Sequence, residues 1–201
     1  MFEDAKNVYI VAEALKGNDL ITEFSQNRRI TEGRCAAVIQ QILEAIVYLH
    51  SKGLAHNNIS GLSVQLIAEG SDQIKLINLD EVSKGITDLN AFLDRIAKTN
   101  SDPYVAPELL KGVWSLKNDE WSVGVLLHQL LIGQLPYQSD IAAEMFKKIS
   151  ENRLTNCQTE FKQVSEEAAD LLSQLLTVDQ NSRISAAQAL EHPWFRTARL
   201  G

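Results

Sequence analysis

The side chains able to do chemistry in this sequence gather in two short stretches, and most of them there are uncharged. Between Leu54 and Ser63 stand His56, Asn57, Asn58, Ser60 and Ser63. A second stretch, Ile74 to Asp80, ends on Asn78-Leu79-Asp80. Amides and hydroxyls donate and accept hydrogen bonds, but an amide takes up no proton at any accessible pH. An amide is also a poor magnesium ligand, because that ion prefers carboxylates and phosphate oxygens. The two cysteines, Cys35 and Cys157, lie far apart without metal-type spacing and read as reduced thiols of a cytosolic protein. No Gly-x-Gly occurs anywhere, so a phosphate-covering loop of that type is missing. Asn58-Ile59-Ser60 matches a glycosylation acceptor, a chance match in a chain read as unsecreted.

Composition bounds what such residues could serve. The 201 residues include 19 Lys plus Arg against 26 Asp plus Glu, a net charge of −7. That balance argues against a nucleic-acid or anionic-membrane surface. With 45% hydrophobic and 22% charged residues, the chain is too apolar for intrinsic disorder. No apolar run reaches membrane-spanning length, and the acidic Met1-Phe2-Glu3-Asp4 is unlike a signal peptide. A single cytoplasmic domain over 1–201 is the expectation.

The elements that must position the polar stretches follow from periodicity. Val8 to Ala14 predicts one strand with a turn near Gly17. Apolar residues Cys35, Val38, Ile39, Ile42, Leu43, Ile46 and Leu49 predict a helix over 31–52, closed by Gly53. Short strands are expected at 63–67 and 73–77, joined by the turn Glu69-Gly70-Ser71-Asp72. From Asn118 to Gly133 a capping residue and two acids precede a run apolar almost all round, which predicts a buried helix. Ser165 before Glu166-Glu167 opens another helix. Ser185 with Gln188 spells a capping box, and His192-Pro193 stops the last helix. Thr87-Asp88 with Leu89, Phe92, Leu93 and Ile96 predicts an amphipathic helix over 88–97.

Several segments, in order, resemble the large lobe of a Ser/Thr protein kinase, closest to the calcium- and calmodulin-dependent group. Leu54 to Ser63 sits where that family has its His-Arg-Asp catalytic loop, and Ile74 to Asp80 resembles the strand leading into Asp-Phe-Gly. Pro103-Tyr104-Val105-Ala106-Pro107-Glu108 keeps Ala-Pro-Glu. Asp119-Glu120-Trp121-Ser122-Val123-Gly124 resembles the start of the central helix, and Arg183-Ile184 with His192-Pro193-Trp194-Phe195 the last helix. The resemblance implies a mainly α fold, a kinase-like C-terminal lobe. Its helices surround a buried central helix, with short β-hairpins at the catalytic-loop end and a hinge strand at about 8–14. It also implies structural jobs for four residues: Glu108 paired with Arg183, Asp119 accepting catalytic-loop backbone bonds, and His56 packed beneath.

Departures from the family pattern set the functional expectation. Asn58 stands at the catalytic Asp, Ser60 at the Lys beyond it, and Ser63 at the magnesium-holding Asn. Asn78 replaces the metal-binding Asp, Asp80 the Gly of that motif, and Asn57 the Arg that partners a phosphorylated activation loop. Gln65 falls where the family presents an apolar side chain under adenine. No small lobe, Val-Ala-Ile-Lys lysine or partner glutamate helix is present among the 201 residues. Asp19, at a family ribose-contacting position, is expected to be a solvated surface acid. The expectation is a catalytically inactive, pseudokinase-like binding or regulatory module, not an enzyme, with ATP and magnesium binding lost and no metal. The alternative is a phosphotransferase completed by a small lobe from a longer chain or a partner. A protein partner or self-association is expected, with no nucleic acid and no membrane, and the helix at Ile141–Ile149 belongs to a surface open to partners.

Overall fold

The computed structural model describes residues 2–4, 8–9, 11–26, 30–85, 103–152 and 164–198. Two helices organise them. The first long helix, α2 (Glu32–Ser51), follows a short α1 (Leu20–Gln26). Thr31 caps α2 by accepting the Arg34 backbone N–H, and Gly53 closes it in the left-handed region (φ +69°), where glycine meets no Cβ penalty. Its buried face is Cys35, Ala36, Val38, Ile39, Ile42, Leu43 and Ile46, the stripe that the 3.6-residue period marks.

The second, α3 (Lys117–Ile132), is buried on nearly every side, as an all-round apolar sequence requires. It packs against α2 and against α5 (Glu166–Leu175). Beyond it lie α4 (Ala142–Ser150), α6 (Ala186–Leu190) and α7 (Trp194–Thr197), with α6 and α7 resting on α2. Ser165 caps α5 through the Ala168 N–H, and Ser185 with Gln188 completes the capping box of α6. Trp121 on α3 stacks on Tyr137, centroids 5.7 Å apart, while the Arg183 guanidinium lies 5.0 Å from the Trp121 ring.

Among the described residues the strands are few. β1 (Phe2–Glu3) pairs antiparallel with β2 (Val8–Tyr9). β3 (Val64–Leu66) pairs with β4 (Ile74–Leu76) in the register Val64↔Leu76, turning at Gly70 (φ +71°). This hairpin carries the two polar stretches at one end, with Leu54–Ser63 leading in and Ile77–Asp80 leading out.

Two expectations are corrected here. Of the strand expected at 8–14 only Val8–Tyr9 is found among the described residues: Val11 to Ala14 are exposed and find no ladder partner there, and a strand needs one to satisfy its backbone. Backbone pairing resumes at Lys16, whose N–H donates to the Ile67 carbonyl, and continues at Asn18 and Asp19 beside β3. Asn118 does not cap α3. The cap position lies two residues earlier, at Leu116, and the Asn118 amide turns into the core. The helix expected at 88–97, and Cys157, lie outside the described residues.

Candidate functional site

One carboxylate organises the first polar stretch. Asp119, 1% exposed at the start of α3, accepts the backbone N–H of His56 at 2.8 Å and that of Asn57 at 2.9 Å. His50, near the end of α2, places Nε2 2.9 Å from the same carboxylate and Nδ1 3.5 Å from Glu120. Charge-assisted bonds to backbone N–H groups are the strong kind, so the loop is fixed at its base. His56 is buried beneath it, donating from Nε2 to the Ile77 carbonyl (3.1 Å) while Nδ1 accepts the Asn58 N–H (3.3 Å). Burial pushes its pKa down, against the pull of Asp119, so the ring is neutral.

The rest of the loop bonds mainly to itself. Ser63 Oγ donates to the Ser60 carbonyl (3.0 Å) and accepts the Ser60 N–H (2.9 Å). Asn57 adopts φ +61°, a conformation Asn tolerates better than most side chains. Its Nδ2 donates to the Glu81 carbonyl (2.8 Å) and to Ser83 Oγ (3.0 Å), and its Oδ1 accepts Trp114 Nε1–H (2.8 Å). Asn58 is half-buried and, with Asn57, Tyr104, Asn118 and Ser122, lines one small hollow.

At the exit of the hairpin, Asn78 is exposed and left-handed (φ +58°), and Leu79–Glu81 form one 3₁₀ turn. Asp80 is exposed too. Gln65 spends its side chain on the fold, donating Nε2–H to the Gly17 carbonyl at 3.0 Å. A Cβ on Gly17 would come within 2.6 Å of Leu66, so only glycine lets these backbones approach. Asp19 is not a merely solvated acid. It accepts the Thr22 N–H (2.9 Å) and the Thr22 hydroxyl (2.6 Å), capping α1. Partial burial raises its pKa, but these bonds prevail and hold it below the usual carboxylate range.

Farther off, Glu108 and Arg183 form a buried bidentate pair, which ties the Ala-Pro-Glu segment to the loop before α6. Three contributors escaped sequence reasoning. Trp114 and His50 carry no periodic or motif signal. Glu120 looked like an ordinary first-turn acid, yet it is buried and accepts the Ala186 N–H at 2.9 Å. Burial raises its pKa, with His50 nearby pulling the other way.

Around the hairpin exit stand two carboxylates, Asp80 and Glu81, among amides and hydroxyls. Among the described residues no group of three His, Cys, Asp or Glu could hold a metal ion.

Comparison with known proteins places this architecture. The Protein kinase domain family matches residues 1–195, and the chain belongs to that family. It is 31% identical to calcium-dependent protein kinase 4 of Plasmodium berghei over 97% of this chain and 37% of that protein. It is 34% identical to Serine/threonine-protein kinase PEPKR2 of Arabidopsis thaliana over 96% of this chain and 40% of that protein. The chain thus spans about two-fifths or less of these relatives. Among solved structures, Rad53 residues 1–466 in complex with AMP-PNP superposes with a TM-score of 0.76 at 28% identity, covering 91% of this chain and 45% of that one. The Rad53 kinase domain with SCD2 gives 0.74, also at 28% identity, over 92% of this chain and 67% of that one. The mainly α, kinase-like fold is therefore established. The expectation that the chain is not an enzyme is corrected: its family is an enzyme family, and the relatives named here are Ser/Thr protein kinases. Among the described residues no helix is long and apolar enough to cross a membrane.

Proposed function

We propose that this chain acts as a kinase-fold module for binding and regulation, one large-lobe domain over 1–201 that offers its hairpin end to a protein partner or a second copy of itself. The carrying observation is where the loop's polar groups are spent. Asn57, Ser60, Ser63 and Gln65 bond to one another's backbone or to neighbouring segments rather than standing free for a ligand. Leu62 and Leu79, 61% and 57% exposed, flank the same end of the hairpin, and apolar side chains bared together there favour a covering surface. In this reading the ligand is neither ATP with magnesium nor nucleic acid, since the net charge is −7, and the setting is cytoplasmic.

A second reading is favoured by the family itself. The large lobe would work in Ser/Thr phosphotransfer with a small lobe supplied by a longer chain or a partner, with exposed Asp80 replacing Asn78 as the metal ligand. One pair of measurements separates the two. Sedimentation should show association of the purified chain at high concentration, and magnesium-ATP should leave its melting temperature unchanged. A robust nucleotide-dependent rise, with labelled γ-phosphate transferred to a protein substrate, would replace the first reading by the second.

A further inference from the structure

Asn57 is joined to three separate segments, and that arrangement serves neither function above directly. The backbone N–H of Asn57 is held by Asp119, so its position on the loop is fixed from below. Its side-chain amide then reaches out both ways, donating to Glu81 O and Ser83 Oγ and accepting from Trp114 Nε1. Ser83 is further joined to the loop by a two-way backbone bridge with Ala55, at 2.9 and 3.1 Å, and its hydroxyl also donates to Gly85 O at 2.6 Å. Trp114 comes from the stretch between Gly112 and α3, so the amide joins chain regions 24 and 57 residues away.

We infer that Asn57 is a positioning residue: its amide staples the segment Leu79–Gly85 and the Trp114 loop onto the catalytic-loop region, and so fixes the outward presentation of Leu79 and Asp80. The chemistry supports this in two ways. The left-handed backbone of Asn57 aims the amide at both segments, and Asn is among the few side-chain-bearing residues that occupy that region readily. An amide carries no charge, so its own hydrogen bonds to Glu81 O and Ser83 Oγ are not screened by salt.

Hydrogen exchange on the full chain tests it, read by mass spectrometry over 79–85 and over α5 as an internal control. The Ser83 amide, bonded to the Ala55 carbonyl, should exchange slowly. Asn57→Gly keeps the positive φ and deletes the staple. It should speed exchange over 79–85 about tenfold, the worth of a hydrogen bond or two, and leave α5 unchanged. The Trp114 indole N–H resonance should shift and exchange faster in the same variant. Should Asn57→Gly lower the global melting temperature sharply, Trp114→Phe and Ser83→Ala cut the staple from its other ends and should each speed 79–85 locally. Unchanged exchange over 79–85 in all three variants overturns the inference, as does acceleration that is equal in α5.

Discussion

Arg183 grips Glu108 with two parallel bonds, Nη1 to Oε1 at 2.6 Å and Nη2 to Oε2 at 2.8 Å, and both side chains are almost wholly buried. The remaining Arg183 donors are used as well, Nε on the Thr177 carbonyl (2.9 Å) and Nη1 on that of Lys117 (2.7 Å). A buried pair with every donor satisfied is costly to break from one side, because the survivor is a desolvated, uncompensated charge. Glu108→Ala should lower unfolding free energy by about 3–5 kcal/mol, measured by urea titration. The double variant Glu108→Leu/Arg183→Met should recover much of that loss. Equal damage from single and double variants would mean packing, not charge, dominates there.

Stability should also fall on the acid side. His56 and His128 are both buried, and burial lowers each pKa below the ordinary 6.5 despite hydrogen bonds that pull upward. The unfolded chain therefore binds protons that the folded chain refuses. The stabilisation is fully present above 6.5 and drains away as pH drops toward the folded values. Glu120 runs oppositely: its raised pKa stabilises the fold below 4.5 and loses that effect as pH climbs. Two histidines outweigh it between pH 7 and 5, so the melting temperature should decline across that window. His128→Asn, whose amide can replace the Nδ1 bond to Gln134 O (2.7 Å), should flatten the decline. A slope unchanged by that substitution would place the acid sensitivity elsewhere.

What the sequence made legible follows physical range. Caps and periodic faces are local, and so Ser165, Ser185 and the α2 stripe were readable from spacing alone. The Glu108–Arg183 contact spans 75 residues and came only through resemblance to a family, as did Asp119 beneath the loop. The Asn57 amide network was invisible. Its partners, Glu81, Ser83 and Trp114, share no pattern, and their meeting depends on a positive φ that no periodicity announces. At Val8–Ala14, local β-propensity misled because a strand is decided by its neighbour.

Asn118 shows the opposite failure, a residue in place without a partner. It is 2% exposed, and neither amide atom finds a hydrogen bond among the described residues. An unpaired buried amide costs roughly 1–3 kcal/mol by mutational measures. Leucine keeps the same branched shape and side-chain heavy-atom count without polar atoms, so Asn118→Leu should raise the melting temperature where the adjoining hollow takes up its larger methyl groups, against a background where most substitutions lower it. A lower melting temperature would show that the amide is satisfied in solution by bound water in the adjoining hollow.

Gly124 sits mid-helix in α3, where glycine is an unfavourable choice by about 1 kcal/mol relative to alanine. Propensity alone would make Gly124→Ala stabilising. Packing says otherwise: a Cβ there would meet Leu175 Cβ at 2.9 Å and Leu176 Cδ2 at 2.9 Å, at the contact between α3 and α5. The Leu176 methyl can swing aside, but Leu175 Cβ is fixed to the α5 backbone, so the helices must part. Overpacking of that kind costs about 1–3 kcal/mol, which exceeds the propensity gain. Gly124→Ala should therefore lower the urea midpoint. Pairing it with Leu175→Ala, which keeps the offending Cβ but empties space beyond it, should worsen the loss, whereas Leu175→Gly should partly relieve it. If Gly124→Ala instead raises the midpoint, the approach of α3 to α5 is looser than 2.9 Å and helix propensity governs that position.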